Sequence, residues 1–504
     1  MGDPIPVELR KGCWIKFPNN YDRCKTRVYR KIHTQGTWDV QIHSDCYHNQ
    51  LRSLYERVLA ITPQPVHTAL KSLRLEAKRM AQSLGHCYPA TLDTVLLLFP
   101  KHKQKVYAKA RKSFFAQPLE AKDCNPRAFV KCEKLRQLKA PRMIQYRTTR
   151  FNLMLGRYTR PMEHLLYKLK DLHGNKLIAK GMNSRQRAKH LWGLWNQVED
   201  PVALSLDLTR WDLHCNKELI KIMHLFYLTI TPDEELRDLL QHQLINTGLT
   251  SHGIRYRSQG GVMSGDMTTA LGNCALLVII VSTLFKAIVQ KMPGLQWRMI
   301  DDGDDFVVVV NRSYAKIVAS EMKIWFDSLG HVLKVEQEVS DFHQIQFCQS
   351  KPLRHHGILE MVPDPHKVLA TAFTIVGKRE QREYLSELWK MRAILHQGQP
   401  VLGPIFLYLS EKYPTDKPVK IGLEYVMSRD ARDKVVWRDV ENESRILYAE
   451  QWGWDIDEQL AVEAWYKLVE MPGDTLGPNE LVPWNDAGWP QGHCPEKYEF
   501  ETHL

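Results

Sequence analysis

Between Trp297 and Val310 the chain reads WRMIDDGDDFVVVV, two apolar runs around four aspartates and one glycine. An apolar run, a Gly-Asp turn and a β-branched run together spell a hairpin with the acids at its tip. Four carboxylates crowded at one turn repel one another unless a cation sits among them, and hard oxygen ligands suit Mg²⁺ or Mn²⁺. Upstream, SLDLTRWD at residues 205–212 ends an apolar strand at Asp207 and places Asp212 five residues further on. A strand-end carboxylate beside the tip acids Asp304 and Asp305 would complete a two-metal cage. In such a cage, ions about 3.5 to 4 Å apart activate an attacking hydroxyl and stabilise a leaving pyrophosphate oxygen. By itself the D-x4-D spacing also fits a helix N-cap.

Three further constellations surround these acids. In GGVMSGDMTTALGN, residues 260–273, Ser264, Gly265, Thr269 and Asn273 follow a glycine-rich loop into a helix. The interval of four from Thr269 to Asn273 puts both on one helix face, where hydroxyl and amide groups can read a ribose 2′-OH; a capped helix end is the plainer alternative. In VKCEKLRQLKAPRMIQYRTTR, residues 130–150, the cations Lys131, Lys134, Arg142 and Arg147 alternate with apolar residues, as in a channel wall that binds phosphates or in a solvated loop. In GHVLKVE, residues 330–336, Lys334 stands in an apolar strand-like context. A half-buried lysine near phosphate chemistry could donate a proton to departing pyrophosphate, or it could be a strand lysine that reaches out to solvent.

The elements that must position these residues follow from periodicity. Strand-like pieces fall at 128–131, 142–146, 202–208, 333–338 and 344–350, with helices at 150–172, 184–198, 213–229, 232–247 and 313–329. Ala270 to Phe285 is an apolar stretch shorter than the roughly 20 residues a spanning helix needs, and reads as a buried core helix. Strands therefore concentrate between 202 and 350. This predicts an α+β chain in which a central sheet lies between a basic N-terminal region and a mainly helical C-terminal one.

Composition is that of a globular chain: 504 residues, 44% hydrophobic and 25% charged. The formal charge of +12 is concentrated, because residues 101–160 hold 17 Lys and Arg against Glu120, Asp123 and Glu133. A block of that kind suits nucleic acid, with an anionic membrane surface as the alternative. The ten cysteines show no C-x-x-C pair or zinc-like Cys/His spacing, which fits a reducing setting. Neither a signal peptide nor a transmembrane segment is expected, so any membrane attachment would come from partners or adjoining sequence.

Together, in this order, and with FCQSKPL at 347–353, these segments resemble the motif set of viral RNA-dependent RNA polymerases, most closely the tombusvirus-like group. VKCEK with APRMIQYR looks like motif F, DLTRWD like motif A, SGDMTTALGN like motif B, DGDD like motif C, GHVLKVE like motif D and FCQSKP like motif E. KGMNSRQR, residues 180–187, is similar to the segment preceding motif A. The resemblance implies a right-hand fold of fingers, palm and thumb, the palm an antiparallel sheet with helices on one face. Fingers would span 1–200, palm 201–350 with a fingers insertion at about 213–258, and thumb 351–504. It implies that Asp207, Asp304 and Asp305 hold two Mg²⁺ or Mn²⁺ ions and that Lys334 is a general acid. Asp212, Ser264, Gly265, Thr269 and Asn273 would select ribonucleotides, while Lys131, Lys134, Arg142 and Arg147 steer triphosphate and template. Phe347, Cys348 and Gln349 would grip the primer end. The implied partners are RNA template and product, ribonucleoside triphosphates and other viral replication proteins, at membrane-associated complexes in the host cytoplasm. The chain departs from the pattern before Gly303, where Asp301 and Asp302 replace a small polar residue. Sequence order favours Asp304 as a ligand because it follows the turn glycine.

Two rivals are a non-catalytic RNA-binding scaffold holding Ca²⁺ and a reverse transcriptase. DDGDD lacks the alternating acids of an EF-hand loop, and Asn273 with the Gly-Asp-Asp tip argues against the second.

Overall fold

The structure, a computed structural model, describes residues 8–19, 29–31, 40, 42–135, 139–376, 381–416 and 438–470. Residues 136–138, between the strand-like pieces expected at 128–131 and 142–146, and parts of the expected thumb, including 417–437 and 471–504, lie outside the described residues. In chain order the strands are β1 Trp14–Lys16, β2 Tyr29–Lys31, β3 Arg127–Val130, β4 Met143–Tyr146, β5 Pro201–Leu208, β6 Ile245–Thr250 and β7 Arg255–Gln259. They continue with β8 Trp297–Asp301, β9 Phe306–Asn311, β10 Leu333–Val339, β11 Ser350–His355, β12 Ile358–Pro363 and β13 Thr374–Val376. The result is a mixed helix-and-sheet protein.

The central sheet runs in the order β10-β5-β9-β8 and is antiparallel throughout. Its two inner strands, β5 and β9, are almost continuously apolar because both faces are covered. Val202, Leu204, Leu206 and Leu208 of β5, with Phe306, Val308 and Val310 of β9, pack into one core with the helices Thr269–Val289 and Ala315–Ser328. Ala203, Val307, Val309 and Ile300 point the other way, against Ala188, Leu191, Leu194 and Trp195 of the helix Ser184–Trp195. The expectation of helices on one face is thus corrected.

Helix Thr269–Val289 has 21 residues and by length and composition alone it could cross a membrane. It is longer than the sequence suggested, yet Leu276, Leu277, Ile279, Ile280 and Val281 are completely buried in the main core. A helix that is apolar all round needs cover all round. Here the sheet, His67–Leu84 and Lys217–Ile230 supply it.

A second sheet, β1-β7-β6-β3-β4, joins distant segments, with β3 parallel to β6 and its other pairs antiparallel. Strands are therefore not concentrated at 202–350. The helix expected at 232–247 divides into Glu234–Gln241 and β6, because pairing with β7 and β3 outweighs a short, ambiguous apolar period. The helix expected from Leu213 begins at Lys217, where the Asn216 side chain accepts from the Glu218 and Leu219 amides. No strand spans 344–350. Instead Phe347 and Ser350 exchange backbone hydrogen bonds of 2.9 and 3.1 Å across a turn, with Cys348 and Gln349 at φ +51° and +57°. Two left-handed central residues make the turn type that matches strand twist.

Beyond it, the β11–β12 hairpin leads into a C-terminal helical unit with its own core around Leu369, Trp389, Phe406 and Tyr448.

Candidate active site

The acidic segment is a hairpin. Asp301 closes β8 opposite Phe306 of β9, and the Asp302 amide donates to the Asp305 carbonyl at 2.8 Å. Gly303 turns the chain at φ +104°, and a Cβ there would lie 3.7 Å from that of Asn273, so the tip rests on the long core helix. Asp304 and Asp305 are exposed beyond the strand ends. In β5, Leu206 pairs with Phe306, and continuing that register brings Asp207 beside Asp305. Lys334 pairs with Asp207 from the other side. Lys334 on β10, Asp207 on β5 and Asp305 just before β9 thus follow one another across the sheet.

Although Asp305 faces the cavity, the protein around it strips away much of its water, and this, then the charges of Asp304, Asp302 and Asp207, pushes it up to about 6, while Lys180 opposes them. Among the described residues, no three His, Cys, Asp or Glu side chains converge into a ready-made metal cage. The donor set nevertheless fits a hard divalent cation: Mg²⁺ commonly takes one or two carboxylates and fills its shell with water and substrate phosphates.

These acids open into a cavity of about 960 Å³. Lys131, Arg142, Arg57 and Arg210 line it, with Ser264, Asp212 and Lys334. Phe347, Cys348, Gln349 and Lys367 also contribute to the lining. Glu133 lies 3.0 Å from Lys131 Nζ and 3.5 Å from the Arg142 guanidinium. Burial, then the neighbouring charges of Arg210 and Arg142, lower the pKa of Arg57. So dense a group of cations favours a polyanion between them. Asn273 Nδ2 approaches Asp212 Oδ1 at 3.5 Å, and burial followed by the Asp304 charge pushes Asp212 up to about 6. Asn273 Oδ1 is buried with no hydrogen-bond partner. The Ser264 hydroxyl donates to the Met143 carbonyl at 3.2 Å.

The family model described as viral RNA dependent RNA polymerase matches residues 16–474. The chain belongs to the viral RNA-dependent RNA polymerase family. It is 30% identical to the RNA-directed RNA polymerase of Tobacco necrosis virus (strain A) over 490 residues, covering 92% of this chain and 67% of that one. With the enzyme of Carnation mottle virus it shares 32% identity over 385 residues, 72% of this chain and 48% of the relative. With that of Tomato bushy stunt virus (strain Cherry) it shares 30% over 456 residues, 85% and 54% respectively. The chain therefore spans between about half and two thirds of these relatives.

Within this family member, several expected site residues sit elsewhere than the motifs suggested. Arg147 does not face the cavity. It is completely buried and ion-paired with Asp266, and it donates to the Cys124 carbonyl at 2.7 Å, the His242 carbonyl at 2.8 Å and the Asn246 side chain. It pins β4 to the glycine-rich loop. Gly265 is a packing position, since a Cβ there would meet the Gln145 carbonyl at 2.5 Å. The Thr269 hydroxyl is used locally, donating to the Met263 and Asp266 carbonyls at 2.8 and 3.0 Å. Lys134 reaches the Thr371 carbonyl at 2.7 Å and still borders the cavity. Lys334 is exposed, not half-buried. Phe347 is buried yet still borders the cavity, beside the turn formed by Cys348 and Gln349.

The two extra aspartates also resolve. Asp301 is fully buried, accepts from the Gly303 amide at 2.9 Å, and is pushed well above the carboxylate range by burial. Asp302 turns away from the cavity into an ion pair with Arg187 at 2.6 Å and another with Lys180. Arg57, Arg210 and Lys367 are cavity cations that sequence reading did not single out. Arg210 stood inside DLTRWD and could have been weighed there, but Arg57 carried no local signal.

Proposed function

We propose that this chain is an RNA-directed RNA polymerase that joins ribonucleoside triphosphates on an RNA template. The observation that carries the proposal is the convergence of Asp207, Asp304 and Asp305 at a cavity whose wall holds Lys131, Arg142, Arg57 and Arg210. Family membership supports the same reading. In right-hand terms, the central sheet is the palm, the β1-β7-β6-β3-β4 sheet belongs to the fingers, and the C-terminal helical unit is the thumb.

Asp207, Asp304 and Asp305 are the residues that would hold the metals. Two divalent cations, when bound, supply Lewis-acid activation of the primer hydroxyl and charge neutralisation at the pyrophosphate oxygen. The 3′-hydroxyl gives up its proton to water in the cavity, its oxygen bonds to the α-phosphorus as the bond to the bridging oxygen breaks, and pyrophosphate leaves. Lys131, Arg142, Arg57 and Arg210 bind the triphosphate oxygens, Arg by planar forks and Lys as a point charge. Lys334 Nζ, on the strand beside Asp207, gives its proton to the leaving oxygen. Asp212, Asn273 and Ser264 read the ribose hydroxyls, and Cys348 with Gln349 supports the primer end.

Labelled ribonucleotide incorporation on a primed RNA template, with Mg²⁺ supplied, tests this reading. Wild type should extend the primer and Asp304→Ala should not; extension at the wild-type level by Asp304→Ala would sink it. Parallel reactions with deoxyribonucleotides separate the reverse-transcriptase reading.

A further inference from the structure

We propose that Asp302 is a positioning residue, held by Lys180 and Arg187, that locks the Asp304-Asp305 tip to the Cys348-Gln349 turn. The proposal rests on the polymerase reading and adds a part to it. The turn carries two acids besides Asp304 and Asp305, and Asp301 is already sealed in the core. A fourth free carboxylate there would repel its neighbours and compete for cations. Instead Asp302 is only 10% exposed and faces two cations supplied by a single segment.

That segment is itself fixed to the hairpin. The Asp301 amide donates to the Leu177 carbonyl at 2.9 Å and the Ala179 amide to the Asp301 carbonyl at 2.7 Å, so residues 177–179 lie along β8 as a short parallel extension. Lys180 follows immediately and donates to the Asp302 carbonyl at 3.0 Å while pairing with its carboxylate. Arg187 comes from the helix Ser184–Trp195 behind the sheet and meets Asp302 Oδ2 at 2.6 Å.

The same Arg187 reaches the other side of the site. Its Nη1 donates to Cys348 Sγ at 3.3 Å, and the Cys348 thiol donates to Asp302 Oδ2 at 3.4 Å. The guanidinium also lies 5.7 Å from the centre of the Phe347 ring. Three segments remote in sequence therefore close on one carboxylate: the strand-like piece with its helix, the metal-bearing tip, and the turn at the primer end. Removing one cation leaves the buried carboxylate with a single partner, whereas removing cation and carboxylate together leaves only the other, more exposed cation, which water can reach. Such a lock governs where the tip acids stand relative to the primer, and so acts on the chemical step more than on nucleotide capture.

The test is a double-mutant cycle in the full chain with Arg187→Met, Lys180→Met, Asp302→Asn and the paired variants, alongside Arg187→Lys as the charge-keeping control. Arg187→Met should lower kcat at least about tenfold with nucleotide KM changed less than about threefold, and should shift the Mg²⁺ concentration for half-maximal synthesis. Adding Asp302→Asn should recover at least about fivefold of the lost rate, and Arg187→Lys should retain most of it. An unchanged kcat in Arg187→Met, or no recovery in the pair, would overturn the lock. If wild type makes no RNA, the polymerase reading fails, and thermal unfolding of the same variants still decides the clamp. Non-additive Tm losses support the Asp302–Arg187 coupling, and additive losses refute it.

Discussion

Lys334 stands directly across from Asp207 in the antiparallel pairing of β10 with β5, so a cation and a carboxylate leave the central sheet on the same face. If the lysine donates the proton to pyrophosphate, Lys334→Ala slows single-nucleotide addition by about 10²-fold or more, the usual worth of a positioned acid. Rapid-quench kinetics should show that loss with RNA affinity unchanged. A Lys334→Ala enzyme that is slow only because it no longer binds template would exclude the acid role.

The pKa of Asp305 in the fold, about 6, lies above its unfolded value near 3.8. Its contribution to stability in the cation-free protein is therefore fully present below the unfolded value and is lost as pH rises through about 6. Divalent cations need the ionised carboxylate and relieve its repulsion. The Mg²⁺-induced rise in Tm should be small near about pH 5 and grow toward about pH 7.5. Scanning calorimetry across that range checks it, and Asp305→Asn should flatten the dependence.

Arg147 and Asp266 form a buried pair, 0% and 3% exposed. Arg147→Met strands the Asp266 charge and should cost about 3 to 5 kcal/mol of stability. Urea unfolding measures this. A variant of native stability with only a raised nucleotide KM would instead restore Arg147 to the triphosphate channel.

Asn273 and Asp212 approach each other at 3.5 Å beside the tip glycine. A site whose polar groups await a 2′-OH rejects the analogue that lacks one. Asn273→Ala should lower the preference for ribo- over deoxyribonucleotides by about tenfold or more. Competitive incorporation of the two sugars gives the ratio, and an unchanged ratio would remove Asn273 from sugar recognition.

RNA binding should weaken steeply with salt, because each phosphate contact releases counterions. Replacing Arg57 or Arg142 with Ala should each reduce the slope of log affinity against log salt by about one. Fluorescence anisotropy at several ionic strengths reads the slope.

Hairpin, core helix and strand-end acid were all legible in the linear chain, because period, turn glycine and β-branched runs are local properties. WRMIDDGDDFVVVV specifies its own turn, and SLDLTRWD ends its own strand. Motif order then pointed to the family. What local pattern could not assign were partners distant along the chain. The strands at 245–259 exist through pairing with each other, with β1 and with β3, and the expected strand at 344–350 became a left-handed turn. Burial likewise decided which charges do chemistry: Arg147 and Arg142 share one basic segment, yet one is sealed against Asp266 and the other borders the cavity. The four tip aspartates are equivalent by type. Sequence determined that acids would gather at that turn, whereas the fold divided them: Asp301 into the core, Asp302 onto Lys180 and Arg187, and Asp304 and Asp305 toward the cavity. The free energy of a carboxylate depends on the charges and solvent around it, and those neighbours are set only when distant segments pack.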